Sequence, residues 1–261
     1  MPINTPVNMP AHSPRPGVGL IIRSLVFNVV FYLNLIVFLV AGFMFFFTPR
    51  KWSIRALQFW ARVSLWWMGV IVGTKFEVRG LDHIPSGACL LVGKHQSLWE
   101  TFALLPMVDD PAIVLKRELT YIPLFGWFAL KFQMIAVDRG AGASALRNLM
   151  KAAQKSISQK RQILIFPEGT RKSPGDEPDY KPGAAALYLN LKVPAVPFGL
   201  NSGLYWPRRK FLRYPGTIIV EFGPAIESGL KRRDYAPRSQ QAIEEITNRL
   251  VGEGLKNDFG K

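Results

Sequence analysis

The chain is short of acid, of cysteine and of histidine. Its 261 residues carry 18 Asp plus Glu against 33 Lys plus Arg, a formal net charge of +15, and no acidic residue precedes Glu77. A single cysteine, Cys89, excludes an internal disulfide and with it a disulfide-stapled secreted fold. The three histidines, His12, His83 and His95, form no His/Cys cluster with metal-ligand spacing, so no metal site is expected. Charged residues make up only 20% while hydrophobic residues reach 49%, which excludes intrinsic disorder for most of the chain. A basic, aromatic-rich chain leaves two partner classes open: nucleic acid, or an anionic membrane and its lipids.

The N-terminal third separates them. Residues 1–17 hold five prolines and no hydrophobic period, and read as a disordered tail. From Ser24 to Phe47 the chain runs without a charge, long enough for a spanning helix, which needs ~20 apolar residues. A signal peptide is the rival reading, but the run is too long for its apolar region and no small-residue cleavage site follows. Trp52–Gly73 mixes Arg55, Gln58 and Arg62 with Trp52, Phe59, Trp60, Trp66 and Trp67, an interfacial composition. Residues 18–73 are therefore expected to form a membrane anchor of two helices, the first spanning or dipping, the second at the interface or spanning as well. Arg50, Lys51, Arg55 and Arg62 after Phe47 outnumber Arg23 before it, which places residues 74–261 on the cytoplasmic side. The Trp and Phe residues cluster in this anchor rather than interleaving with a basic face, which argues against nucleic acid.

Beyond the anchor, short β-branched runs alternate with helical patterns. Strands are expected at 75–78, 89–92, 112–115, 134–137, 163–166, 195–198 and 217–222, and helices at 98–105, 122–132, 143–160, 184–191 and 239–254. This alternation predicts one α/β domain over 74–261 with a mixed, mostly parallel central sheet.

Four segments carry chemistry. Gly93-Lys94-His95-Gln96-Ser97-Leu98-Trp99-Glu100 follows a strand, where open α/β sheets bind ligands. Five residues within one helix put His95 and Glu100 ~140° apart, so they meet only if His95 lies on the turn before the helix. A carboxylate on one imidazole nitrogen strengthens the other as a base. The same residues also read as a Ser-x-x-Glu capping box that needs no chemistry. Phe166-Pro167-Glu168-Gly169-Thr170-Arg171 follows another strand; Gly169 allows a sharp turn, and Arg171 offers a planar fork suited to phosphate. Lys116-Arg117 precedes the apolar Ile122-Pro123-Leu124-Phe125-Gly126-Trp127, and the two cations suit phosphate as well. Val193-Pro194-Ala195-Val196-Pro197 is an apolar strand whose prolines suit a sheet edge.

Taken in order, these four segments resemble the 1-acylglycerol-3-phosphate acyltransferase family of the glycerolipid acyltransferase group. The resemblance covers residues 75–225, and the N-terminal helices fit it too. One position departs: Glu100 stands where the family pattern has Asp, which bears on geometry and on the choice of acceptor. The resemblance implies a glycerolipid acyltransferase-like α/β fold. It implies that His95 is the general base and Glu100 its partner. It further implies that Lys116, Arg117, Glu168, Gly169, Thr170 and Arg171 form the substrate-phosphate site. Pro123, Phe125, Gly126 and Trp127 would line the acyl-chain path. The implied reaction passes an acyl chain from acyl carrier protein or coenzyme A to the sn-2 hydroxyl of lysophosphatidic acid, with no metal or redox cofactor. It would take place at a bacterial inner membrane. Another lysolipid acceptor, such as a lyso-ornithine lipid, is the alternative, and a lipid hydrolase a more distant one.

Overall fold

The computed structural model describes residues 16–260. Of the expected tail, residues 1–15 lie outside the described residues. Seven strands form one sheet: β1 (Thr74–Arg79), β2 (Cys89–Gly93), β3 (Pro111–Lys116), β4 (Ile135–Val137), β5 (Gln162–Ile165), β6 (Ala195–Leu200) and β7 (Gly216–Phe222). Their order is β1-β7-β6-β2-β5-β3-β4. Every neighbouring pair is parallel except β6–β7, so the sheet is mixed and mostly parallel, as expected.

The helices are α1 (Val18–Ala41), α2 (Arg50–Val72), α3 (Trp99–Ala103), α4 (Phe125–Lys131), α5 (Gly142–Ser158), α6 (Pro182–Leu191), α7 (Ser202–Tyr205) and α8 (Arg232–Phe259). Side chains alternate across a strand with period two, and β2 shows the result. Cys89 and Leu91 join the core shared with α1, α2 and α3; Leu90 and Val92 join the core shared with α5 and α6. The sheet thus separates an anchor face from a second face, which Ile243 of α8 helps to cover.

The expected two-helix anchor folds as two helices, but only one segment among the described residues, Val18–Phe47, is long and apolar enough to cross a membrane. Helix α2 is amphipathic: Ile54, Leu57, Ala61, Leu65 and Met68 are buried, while Trp52, Phe59 and Trp66 are exposed. Ser24, Asn28 and Asn34 of α1 all find partners. Ser24 Oγ accepts the Arg213 amide at 2.9 Å, and Asn28 bonds the Phe211 carbonyl at 3.1 Å and the Arg213 guanidinium at 3.0 Å. Asn34 donates to Ser64 of α2 at 2.9 Å. Phe27 and Phe31 pack edge-on to Trp206. One face of α1 is therefore docked on the α/β domain, and its other faces present Ile22, Leu25, Leu33, Ile36 and Val37 outward.

Two expectations need correction. Strand β6 is not an edge: it lies between β7 and β2. Pro197 is tolerated because the β7 ladder starts only at Phe198, and the other bridge on that side is at Ala195. The last helix starts seven residues before the expected Ser239, at Arg232, and contains Pro237. That proline sits early enough to forfeit few intrahelical bonds.

Candidate active site

Strands β6, β2, β5, β3 and β4 run parallel side by side, so the segments leaving their C-terminal ends converge on one edge of the sheet. Those segments carry Ser202, His95, Glu168–Arg171, Lys116–Arg117 and Asp138–Arg139 respectively. Motifs far apart in sequence become neighbours through strand order alone.

His95 lies on the turn before α3, as its pairing with Glu100 requires. Its Nδ1 is 2.8 Å from Glu100 Oε1. The same oxygen accepts the amides of Gln96 at 2.6 Å and Ser97 at 2.7 Å. Oε2 accepts the hydroxyls of Ser97 at 3.1 Å and Ser202 at 2.8 Å. Burial disfavours the charge on Glu100, but the bonds from His95, Ser97 and Ser202 outweigh it, so the carboxyl lies below its usual range. An ionised carboxylate only accepts, so Nδ1 carries a proton, and in the neutral imidazole the lone pair is on Nε2. The capping and pairing readings of Glu100 are compatible: one buried side chain accepts the Ser97 amide and meets His95 Nδ1. Position 100 being Glu is accommodated within an ordinary hydrogen-bond distance of His95.

The imidazole stacks on Phe166, centroids 4.3 Å apart. The Lys172 amide donates to the His95 carbonyl at 2.7 Å, joining the two motif loops through backbone. Gly169 takes φ +65°, a left-handed turn that suits glycine, and its carbonyl accepts from Arg139.

The phosphate-site candidates do not all face one way. Arg171 is half-buried and has no carboxylate partner among the described residues; its carbonyl accepts from Arg208 at 2.6 Å. Thr170 is exposed. Lys116 and Arg117 are exposed and paired, with Glu118 at 2.9 Å and Asp138 at 3.0 Å. Glu168 turns the other way: it is 1% exposed and 2.9 Å from the buried Lys94 ammonium. Burial, only partly offset by Lys94, holds its carboxyl above the usual range.

Helix α4, which begins within the Ile122–Trp127 segment, sits against the N-terminal helical segment through residues further along it. Phe128 packs on Phe46 and Phe38, with centroids 4.8 Å and 5.7 Å apart. A Cβ on Gly126 would fall 1.9 Å from the Thr120 carbonyl oxygen, so only glycine fits there. Pro123 and Trp127 are exposed, and Phe125 is half-buried. Cys89 lies inside β2, and burial pushes its thiol up to about 12, which leaves it unsuited as a nucleophile.

Sequence reasoning missed Lys94, Gln96, Ser202, Arg139 and Arg208. Ser202 and Gln96 carried no local signal, since their partners (Glu100 and the Gly203 amide) lie about a hundred residues away in the chain. Arg139 could have been found as a cation following a strand.

The chain is similar to known proteins over most of its length. The acyltransferase family model matches residues 75–201. A 1-acyl-sn-glycerol-3-phosphate acyltransferase of Pseudomonas aeruginosa is 39% identical over 222 residues, covering 82% of this chain and 86% of the relative. The human 1-acyl-sn-glycerol-3-phosphate acyltransferase beta is 28% identical over 62% of this chain and 60% of its own length. The crystal structure of the LPA acyltransferase PlsC from Thermotoga maritima superposes with a TM-score of 0.71 over 90% of this chain and 97% of that one. At 22% identity that last match speaks for the fold. The class is that of the acyltransferase enzymes. Within it, the chain belongs to the 1-acylglycerol-3-phosphate O-acyltransferase family.

Proposed function

We propose that this enzyme transfers an acyl chain from a thioester of acyl carrier protein or coenzyme A to the sn-2 hydroxyl of lysophosphatidic acid, giving phosphatidic acid. The observation that carries the reading is the His95–Glu100 pair, 2.8 Å apart with the carboxylate fully buried. Nε2 takes the hydroxyl proton as that oxygen attacks the thioester carbon. The C–S bond then breaks, the thiolate leaves, and the proton passes from Nε2 to sulfur. Holding the imidazole by Glu100 on one edge and Phe166 on its face keeps it oriented through the step.

Arg171, with Lys116, Arg117 and the Gly169–Thr170 amides, holds the acceptor phosphate. The unpaired guanidinium of Arg171 is the strongest candidate of this group. The exposed Trp127 and the half-buried Phe125, on the helix whose Phe128 packs against Phe46, guide an acyl chain from the lipid phase. In this reading residues 18–73 anchor the enzyme and 74–261 form the catalytic domain, on the cytoplasmic side of a bacterial inner membrane. The basic residues after Phe47 and the Pseudomonas relative support that placement.

The test is transfer of a labelled acyl group from each thioester to lysophosphatidic acid in detergent, with wild type and His95→Ala side by side. Phosphatidic acid formed by wild type alone supports the reading. No transfer by wild type from either donor, or equal transfer by both proteins, sinks it.

A further inference from the structure

Lys94 and His95 are adjacent in sequence and fall on opposite faces of the sheet. The alternation of β2 continues past its end: Gly93 abuts Phe198 on the anchor face, Lys94 turns to the α8 face, and His95 returns to Phe166 on the anchor face. The Lys94 ammonium is 2.9 Å from Glu168 and 2.6 Å from Glu244 of α8. Tyr180, just before α6, donates to the same Glu244 oxygen at 2.9 Å. All three charged residues are buried.

One ammonium therefore serves two carboxylates in a buried site. Stability does not explain this set, because buried ion groups rarely outperform apolar residues of similar size. Location does. Lys94 precedes His95 directly, and Glu168 lies at the centre of the turn whose next residues, Gly169–Arg171, are the phosphate-site candidates. Glu244 lies beyond the stretch matched by the acyltransferase family model, on a separate helix. We infer that Glu244 is a positioning residue: through Lys94 and Glu168 it fixes the spacing between the His95 loop and the Glu168–Arg171 turn. It touches neither substrate nor His95. The inference rests on the acyl-transfer reading and names a residue outside the segments that carry it.

The experiment measures kcat and both KM values for wild type, Glu244→Gln, Glu244→Asp and Ile243→Ala, each scaled to the folded fraction by circular dichroism. Ile243 is wholly buried on the same helix and does not belong to the ion network, so its truncation reports simple loosening of α8. Glu244→Gln keeps the shape and one hydrogen bond but loses the charge. It should lower kcat by roughly 10²-fold, the scale of a small misplacement of reacting groups, with both KM values within about twofold. Glu244→Asp should recover most of that loss, and Ile243→Ala should lower melting temperature with kcat kept. An equal kcat loss in Ile243→Ala overturns the inference, because general loosening then suffices. A rise in the lysophospholipid KM at constant kcat also overturns it, because Glu244 would then be shaping binding alone. No transfer by wild type removes the acyl-transfer reading and this inference with it; activity in wild type and Glu244→Gln alike removes the inference only.

Discussion

Basic side chains meet carboxylates in this molecule under two regimes. Lys94–Glu168 is buried and His95–Glu100 nearly so, with side-chain exposures of 3% and 0%, and 16% and 0%. Lys116–Glu118 and Arg117–Asp138, a few strands along the same sheet edge, are half in water at 49% and 55%, and 54% and 41%. The distances are nearly the same. What differs is the surrounding dielectric and the number of other bonds each partner makes. Glu100 accepts from five donors, so moving it disturbs a turn, a helix start and α7 at once. Lys116 can leave Glu118 at almost no cost, which suits a cation required to bind a passing phosphate.

That contrast orders the expected effects. His95→Ala should lower acyl transfer most, by about 10²–10⁴-fold at unchanged folding, as read by turnover and circular dichroism together. A milder loss would mean that positioning outweighs base catalysis. Glu100→Gln should follow, by a smaller factor, since the imidazole loses its charge-assisted partner but keeps Phe166. Glu100 also carries a pH signature. Its folded-state pKa is depressed, so its contribution to stability is present above the ordinary carboxylate range, roughly pH 4.3, and is lost as pH falls toward the depressed value. The gap in unfolding free energy between wild type and Glu100→Gln should therefore shrink in acid. A gap that stays constant with pH would show that Glu100 acts by shape alone.

Arg171→Ala should raise the KM for lysophosphatidic acid about 10- to 100-fold, the worth of about 1.5–3 kcal/mol for a hydrogen bond to a charged group, with a lesser change in kcat. An acceptor lacking the phosphate should be indifferent to this change, which separates phosphate binding from structural support. Lys116→Gln and Arg117→Gln come last. Each exposed pair contributes less than ~1 kcal/mol, so melting temperature should move by no more than about 2–4 °C while the acceptor KM rises modestly. A large loss of stability from either would abolish the distinction between the two regimes.

The sheet was legible because its strands are short β-branched runs bounded by turn residues; Ile163–Phe166 and Thr217–Phe222 lie within a residue of β5 and β7. The His95–Glu100 contact was legible as a spacing that works only from a turn. Glu168 was not, because its direction depends on Lys94 beyond the neighbouring β2 and on Glu244 of α8, some eighty residues later. Ser202 carried no signal, as its role comes from β6 lying beside β2 rather than at the edge. Pro237 hid the first turns of α8, since proline ordinarily marks a boundary.

The ties between Ser24, Asn28 and the 211–213 segment set a height as well as a contact. A lone apolar helix adjusts to bilayers of different thickness by tilting. Helix α1 is held by three polar groups of the α/β domain, so tilt would break bonds that lipid cannot replace. In the membrane reading proposed above, these ties act as a depth gauge: a thinner or thicker bilayer would have to deform around the protein, and the protein would fix the level at which a lipid meets the sheet edge.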